Sequence, residues 1–257
     1  MIDFHTHILP GVDDGVQSFD EAIKILGKAS NAGIQKVILT PHVLEAPSDE
    51  NWHKIKSIYD SLSQRIQQQK INIAVHLAAE LFISPDLPHM IQTHPGLTIN
   101  CGKHYALIEF PAAGIPPFTL ETVYRLFLMG VVPILAHPER NLEIQEKPGR
   151  LSDLIGKGVL TQLNAGSLDG KYGNKAKKTA KVLLAHDLVH LMGSDIHALA
   201  EGPYPLLKGM HLASRIVGEK QATQMVTTIP EKILKGESID LPRPKPLKRK
   251  FLIGFLS

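Results

Sequence analysis

The first fifteen residues, MIDFHTHILPGVDDG, bring together side chains that can bind metal ions or transfer protons. His5 and His7 are separated by one residue, and Asp14 follows in a glycine-punctuated turn. Imidazole nitrogens and carboxylate oxygens are common ligands of divalent cations. A His-x-His pair alone is weak evidence in a chain with 13 histidines, because such pairs often arise by chance. The positions of the other histidines and carboxylates therefore decide the chemistry.

Further candidates follow apolar segments that predict β-strands. They are His42 after VILTP, Glu80 after AVHLAA, Glu109 in ALIEF, His137 after VPILA, and Asp195 and His197 after HLMGS. The carboxyl ends of parallel strands meet on one face of a barrel, so we expect these side chains to converge there. Five histidines and four carboxylates at one end of the strands are more than a structural role requires, and this clustering predicts a metal centre. We expect the other histidines to be structural or solvated: His53, His76, His89, His94, His104, His186, His190 and His211.

Strand-like and helix-like segments alternate along the chain. The predicted strands are MIDF, QKVILT, INIAVHLAA, YALIEF, VVPILA, VLTQLNA and LVHLMGS. The first predicted helix, SFDEAIKILGKASNAG, has capping-box spacing between Ser18 and Glu21. Parallel strands require helical crossovers of this kind, so the pattern predicts one α/β domain over residues 1–240.

Composition excludes several classes of protein. A formal charge of +3 on 257 residues is too small to indicate nucleic-acid binding. The chain shows no signal peptide and no run approaching the ~20 apolar residues of a membrane helix. The lone Cys101 cannot form an internal disulfide, which suits a cytoplasmic protein.

The C-terminal segment, residues 241–257, differs from the rest. Its sequence, LPRPKPLKRKFLIGFLS, has three prolines and five basic residues before an apolar end. Basic and apolar residues together favour contact with an anionic membrane surface, which would place the protein at the inner membrane face. A segment packed on the barrel, or one that joins a homo-oligomer, is an equal alternative.

Two nucleophilic mechanisms lack their sequence signatures. Cysteine-dependent tyrosine phosphatases place an arginine six positions after the nucleophile, but Leu107 occupies that position relative to Cys101. No G-x-S-x-G motif is present for a nucleophilic serine.

The motifs together resemble a known superfamily. HTHILPGVDDG, TPH, the strand end at Glu80, LIEFP, AHPERN and GSDIH occur in the order seen in polymerase-and-histidinol-phosphatase (PHP) proteins. Within that superfamily they are similar to the manganese-dependent tyrosine phosphatases of bacterial capsule and exopolysaccharide loci, over residues 1–235. The resemblance implies a distorted seven-stranded (β/α) barrel of PHP type, with three metal ions at the carboxyl ends of the strands.

The resemblance also implies how the ligands are divided among the ions, with manganese favoured and magnesium, iron or zinc as alternatives. One ion would be held by His5, His7, Glu80 and Asp195, a second by Glu80, Glu109 and His137, and the third by Asp14, His42 and His197. The four carboxylates carry a charge of −4, so two divalent cations neutralise the site and a third makes it attractive to a phosphate dianion.

The implied activity is hydrolysis of phosphotyrosine in proteins. The expected substrate is the tail of a membrane-associated tyrosine autokinase that controls polysaccharide export. A small-molecule phosphatase of the histidinol-phosphate type and a non-catalytic PHP docking module stay as alternatives.

Catalytic roles are implied for Arg140, Asp195 and His197, with Arg140 gripping the phosphate. The alternative for Arg140 is a surface ion pair with Glu139 or Glu143. The family's second arginine is replaced here by Gly202. Lys208 offers a substitute charge, and Gly202→Arg would restore the clamp if Gly202 does not have a positive φ.

Overall fold

The computed structural model describes residues 1–102, 104–199, 201–240 and 244–247. Its strands are β1 (Ile2–Thr6), β2 (Lys36–Leu39), β3 (His42–Val43), β4 (Ala74–Leu77), β5 (Glu80–Phe82), β6 (Tyr105–Glu109), β7 (Val132–Ala136), β8 (Leu160–Asn164) and β9 (Leu191–Gly193). Its helices are α1 (Phe19–Asn31), α2 (Asp49–Gln68), α3 (Leu87–Thr93), α4 (Thr119–Leu128), α5 (Leu142–Glu146), α6 (Gly149–Ile155), α7 (Ala165–Asp169), α8 (Gly173–Ala185), α9 (Pro205–Val217), α10 (Glu219–Gln224) and α11 (Thr228–Leu234).

The strands form two parallel sheets. One has the order β1-β2-β4 and the other the order β3-β5-β6-β7-β8-β9. The predicted α/β class and parallel pairing are confirmed. All seven predicted strands are present, but two of them continue after a break as the short strands β3 and β5. The sheets are therefore assigned as three and six strands, and this assignment differs from the expected single seven-stranded ring.

Backbone hydrogen bonds run across both junctions between the sheets. The Ala78 amide donates to the Leu39 carbonyl at 2.9 Å and the Glu80 amide donates to the Pro41 carbonyl at 3.0 Å, so the pairing of β2 with β4 continues into the pairing of β3 with β5. On the opposite side the Asp195 amide donates to the His5 carbonyl, also at 2.9 Å, and Thr6 bridges Ile196. Pro41 has no N–H to donate, which accounts for the interruption between β2 and β3. These bonds fix the strand ends relative to one another.

Apolar side chains form separate layers on the two faces of the sheets. Leu107 and Ile134 belong to a cluster with Phe4, closed by Ile233 of α11. Their neighbours along the same strands, such as Ile108, pack in the larger cluster beneath the helices. This alternation is the period of two that a strand buried on both faces requires.

The helices follow local signals in the sequence. Ser18 caps α1, with its Oγ accepting from the Glu21 amide at 3.3 Å, so the predicted cap is confirmed. Sequence reasoning missed the short helices α3, α5 and α7 and the C-terminal helices α9–α11. Within the described ranges, no helix is long and apolar enough to cross a bilayer.

Most of the predicted C-terminal tail, residues 241–243 and 248–257, lies outside the described residues. In the described part, the Lys245 amide donates to the His186 carbonyl at 3.0 Å. The Lys245 ammonium pairs with Asp187 at 2.9 Å, and Leu247 packs against the core. Residues 244–247 therefore contact the α/β domain.

His190 is a buried histidine just before β9. Its Nδ1 accepts from the Thr161 amide of β8 at 2.9 Å, so the ring proton lies on Nε2, which has no partner among the described residues. Burial lowers the pKa of His190 from 6.5 to about 4. The unfolded chain thus takes up this proton first, and stability falls as pH drops from about 6.5 toward 4.

We expect His190→Asn to reduce the acid sensitivity of the fold, because the carboxamide oxygen of the new side chain can still accept from Thr161 but does not titrate. In the wild type, protonation of His190 in the unfolded chain should lower the free energy of unfolding by about 2 kcal/mol when the pH is lowered from about 7.5 to about 5. Denaturant unfolding at both pH values measures it. The exposed His211→Asn is the matched control; equal pH dependence in all three proteins contradicts the assignment.

Candidate metal centre

The structure brings all nine predicted ligands to the same end of the sheets. Because the strands are parallel, their carboxyl ends place these side chains on one rim. His5 lies in β1, His7 and Asp14 follow it, His42 begins β3, Glu80 begins β5, Glu109 ends β6, His137 follows β7, and Asp195 and His197 follow β9.

Glu80 is the centre of this cluster. Its Oε2 lies 3.0 Å from His5 Nε2, 3.1 Å from His42 Nδ1 and 3.2 Å from His7 Nε2. Its Oε1 lies 2.9 Å from His137 Nε2. Glu80 is 1% exposed, and a carboxylate removed from water requires such compensating partners.

The donor atoms fall into three overlapping groups, each with its atoms within 4.8 Å of one another. The groups are His7, Asp14, His42 and His197; His5, His7 and Glu80; and His42, Glu80 and Glu109. Imidazole nitrogens and carboxylate oxygens without thiolates suit hard to borderline divalent cations. The residues therefore fit a multinuclear metal site, as the sequence predicts.

The groups differ in detail from the implied division of ligands. His7 joins the group of Asp14, His42 and His197, and His42 stands with Glu80 and Glu109 where His137 was expected. His137 Nε2 nevertheless lies 3.6 Å from Glu109. The set of nine converges, and its division among three ions stays a prediction.

Two residues that sequence reasoning missed orient the N-terminal histidines. His5 Nδ1 lies 2.8 Å from Gln162 Oε1, and His7 Nδ1 lies 2.7 Å from Asp13 Oδ2. Each acceptor holds the ring proton on Nδ1 and leaves the Nε2 lone pair for the centre. Asp13 adjoins the predicted ligand Asp14, which was an available signal. Gln162 is the middle residue of β8, and nothing in its local sequence pairs it with His5.

The two oxygens of Asp195 have different surroundings. Oδ1 faces the imidazoles, at 3.4 Å from His7 and 3.6 Å from His5. Oδ2 accepts from Asn164 at 2.6 Å and from Arg140 at 2.7 Å. One oxygen is thus free for a cation, while the protein holds the other.

Arg140 lies at the edge of this cluster. Besides its bond to Asp195, its guanidinium stacks over the Tyr172 ring at 4.5 Å, and the Tyr172 hydroxyl donates to the same Asp195 oxygen at 3.1 Å. The alternative prediction, an ion pair of Arg140 with Glu139 or Glu143, is wrong. Glu139 is buried and accepts from Ser167, and Glu143 pairs with Arg150.

Mutual attraction shifts the pKa values of the central groups. Burial alone would raise the pKa of Glu80, but the charge of His5 and hydrogen bonds from His137, His5 and His7 hold it well below its usual value. Burial opposes the charged form of His7, yet its hydrogen bonds to Asp13, Asp195 and Glu80 raise its pKa well above normal. The ionised carboxylate of Glu80 is therefore stabilised by positive charge close to it, and bound cations would supply that charge in place of protons on the imidazoles.

Two of the predicted ligands have an unfavourable backbone conformation. His137 has φ +30° and Asp195 has φ +52°, both in the left-handed region that costs a non-glycine residue about 1–3 kcal/mol. Gly193 lies two residues before Asp195. A Cβ atom added to Gly193 would lie 2.6 Å from the Cβ of His5. Glycine is therefore required for β9 to approach His5 closely.

The position expected for a second arginine is unsuitable for one. Gly202 has φ +80°, so the condition attached to Gly202→Arg fails and an arginine there is strained. Lys208 Nζ lies 2.7 Å from Asp169 Oδ2, in an exposed ion pair. In the described part of the chain, no hydrogen bond or ion pair joins Gly202 or Lys208 to the nine predicted ligands.

Comparisons with known proteins agree with this site. The profile of the family "Capsular polysaccharide synthesis, CpsB/CapC" matches residues 1–235. The chain belongs to the CpsB/CapC family. Its relatives include the tyrosine-protein phosphatase YwqE of Bacillus subtilis, 32% identical over 99% of this chain and 100% of YwqE. The tyrosine-protein phosphatase CpsB of Streptococcus pneumoniae is 27% identical over 93% of this chain and all of CpsB.

A solved structure from this family matches the whole fold. It comes from the crystal structures of YwqE and of CpsB from Streptococcus pneumoniae, described as metal-dependent tyrosine phosphatases. The TM-score is 0.89 at 31% identity, with coverage of 97% of this chain and 100% of that chain. A histidinol phosphate phosphatase from Lactococcus lactis has a TM-score of 0.53 at 13% identity, over 86% of this chain and 93% of that chain, and shows the shared fold alone. The predicted resemblance is confirmed.

The central position of Glu80 gives a prediction about metal content. Glu80→Ala should lower bound Mn²⁺ by more than one equivalent per chain, because Glu80 contacts donors of every group. Asp14→Ala, on the exposed side of one group, should lower it by at most one. Elemental analysis after equilibration with Mn²⁺ measures both, with the exposed Glu146→Ala as control. Equal losses from the two variants contradict the central role.

Proposed function

We propose that this chain is a metal-dependent phosphoesterase that hydrolyses phosphotyrosine in proteins, with manganese as its cation and three ions per site. The observation that supports it is the convergence of nine imidazole and carboxylate side chains, with the buried Glu80 at their centre. Family membership supports the substrate class, since YwqE and CpsB are tyrosine-protein phosphatases. We also propose that the two sheets together form one distorted seven-stranded barrel of PHP type, in which β3 continues β2 and β5 continues β4.

The proposed ligands are the predicted set: His5, His7, Asp14, His42, Glu80, Glu109, His137, Asp195 and His197. Divalent cations at such a site supply the positive charge that binds a phosphate and activates water for attack on phosphorus. The protein's part is to hold the ligands in place. Gln162 and Asp13 fix the tautomers of His5 and His7, and Asn164 fixes Asp195.

Arg140 is proposed to bind the phosphate. Its Nη1 is held by Asp195 and its plane by Tyr172, so its remaining N–H groups are positioned before substrate arrives. Asp195 and His197 complete the catalytic set as ligands next to this guanidinium, with His197 Nδ1 3.5 Å from Asp195 Oδ1. The tyrosyl leaving group favours this chemistry, because a phenolate with a conjugate-acid pKa of about 10 departs more readily than an alkoxide.

The proposed physiological substrate is the tyrosine-rich tail of a membrane-associated autokinase that regulates capsule or exopolysaccharide synthesis. The support is the family's association with capsular polysaccharide synthesis. We propose a cytoplasmic location, with residues 241–257 as a contact for the inner membrane face or for a second copy of the chain.

The experiment compares three substrates with Mn²⁺ present: a phosphotyrosyl peptide, p-nitrophenyl phosphate and histidinol phosphate. We expect hydrolysis of both aryl phosphates, its loss with a chelator, and its return when Mn²⁺ is restored. Cys101→Ser, which removes an exposed thiol, should keep full activity. Turnover of histidinol phosphate alone, or inactivation by Cys101→Ser at unchanged metal content, contradicts the proposal.

Arg140→Ala should weaken transition-state binding by about 2–4 kcal/mol, because a charge-assisted contact with phosphate is lost in a partly buried site. The loss appears in kcat/KM for the phosphotyrosyl peptide. Arg150→Ala, which removes an exposed arginine paired with Glu143, is the matched control. Metal analysis of each variant separates phosphate binding from support of Asp195: an Arg140→Ala protein with full metal and full activity overturns the role.

A further inference from the structure

Three exposed leucines follow residues of the metal centre closely along the chain. Leu44, Leu142 and Leu199 are 64%, 49% and 45% exposed. Each is two residues beyond a residue of the site, namely His42, Arg140 and His197 respectively. Two residues span at most about 7 Å of extended chain. The Cα atom of each leucine therefore lies within about 7 Å of the Cα atom of a residue of the site. We call Leu44, Leu142 and Leu199 the rim leucines.

Backbone contacts hold two of the rim leucines in place. The Leu142 amide donates to the Ala112 carbonyl at 2.9 Å, in the loop that follows β6. The Leu199 amide donates to Glu21 Oε1 at 2.8 Å, which ties the loop after β9 to α1. The leucine side chains are thus presented to solvent by anchored backbone.

Exposed apolar groups beside a strongly charged centre have a natural occupant. A phosphotyrosine that reaches the centre carries its neighbouring residues past the rim, because adjacent Cα atoms are about 3.8 Å apart. Apolar contact there removes leucine surface from water and contributes binding energy that the metal centre does not supply.

We propose that the rim leucines dock the polypeptide on either side of the phosphotyrosine and select apolar residues there. The inference rests on the proposed function and names its substrate class more closely. Two exposed carboxylates, Glu45 and Glu201, lie within two residues of Leu44 and Leu199. Their charge repels acidic residues next to the phosphotyrosine.

Helix α4 provides the matched control. Leu120 and Leu128 are 51% and 70% exposed on α4. Neither adjoins a ligand of the metal centre along the sequence. Replacing them changes surface apolarity to a similar extent without altering the rim.

The test uses the full chain with Mn²⁺ and four substrates. Three are phosphotyrosyl peptides that differ only at the two positions on each side of the phosphotyrosine, which hold leucine, serine or glutamate. The fourth is p-nitrophenyl phosphate, which has no flanking residues. The proteins are wild type, the triple variant Leu44→Ser/Leu142→Ser/Leu199→Ser and the control Leu120→Ser/Leu128→Ser, with thermal unfolding and metal content measured for each.

For the wild type we expect kcat/KM to fall from leucine- to serine- to glutamate-flanked peptide, by about tenfold for the first step, as expected for partial burial of a few apolar side chains. In the triple variant the ratio of kcat/KM for the leucine-flanked peptide to that for p-nitrophenyl phosphate should drop about tenfold, through KM. The control should keep the wild-type ratio.

Two failures are distinguishable. A wild type that hydrolyses p-nitrophenyl phosphate but treats the three peptides alike, or a triple variant with the wild-type ratio, overturns the docking surface alone. A metal-loaded wild type that hydrolyses none of the four substrates overturns the proposed function as well.

Discussion

The carboxylate of Glu80 is removed from water, and much of the structure at this rim follows from keeping it charged there. An isolated buried carboxylate costs several kcal/mol. Imidazoles from separate chain segments, those of His5, His7, His42 and His137, lie within 3.2 Å of its oxygens. The loops that carry them must therefore converge. The same arrangement of carboxylate oxygens and imidazole nitrogens suits a cluster of divalent cations.

Two residues of the site have unfavourable backbone conformations that maintain this geometry. His137 and Asp195 leave β7 and β9 with positive φ, and Gly193 is confined to glycine by its approach to His5. Local strain of this kind persists where surrounding contacts determine the backbone. Here those contacts are the bonds of Asp195 Oδ2 to Asn164, Arg140 and Tyr172. The strained residues belong to the nine candidate ligands, which is consistent with a site selected for function.

The rim combines a charged centre with apolar and cationic groups around it. Arg140 is held by a carboxylate and by an aromatic face, so little conformational entropy is lost when it meets an anion. Gly202 has a backbone conformation that disfavours an arginine, so under the proposed function phosphate binding depends more heavily on Arg140 and on the loops. Loops of this kind vary most among members of a fold, and they carry specificity while the strands carry the ligands.

The sequence by itself determined the nine candidate ligands that converge, the seven main strands and the capped first helix. These follow from short-range periodicity and from the rule that parallel strands end on one face, which needs no knowledge of loop conformation. Tertiary structure decided which groups meet on that face. Gln162 supports His5 from a strand 157 residues away, Arg140 pairs with Asp195 rather than with its sequence neighbours, and the φ of Gly202 disfavours a second arginine. Such contacts depend on loop dihedrals and on packing between distant segments, and no local pattern encodes them.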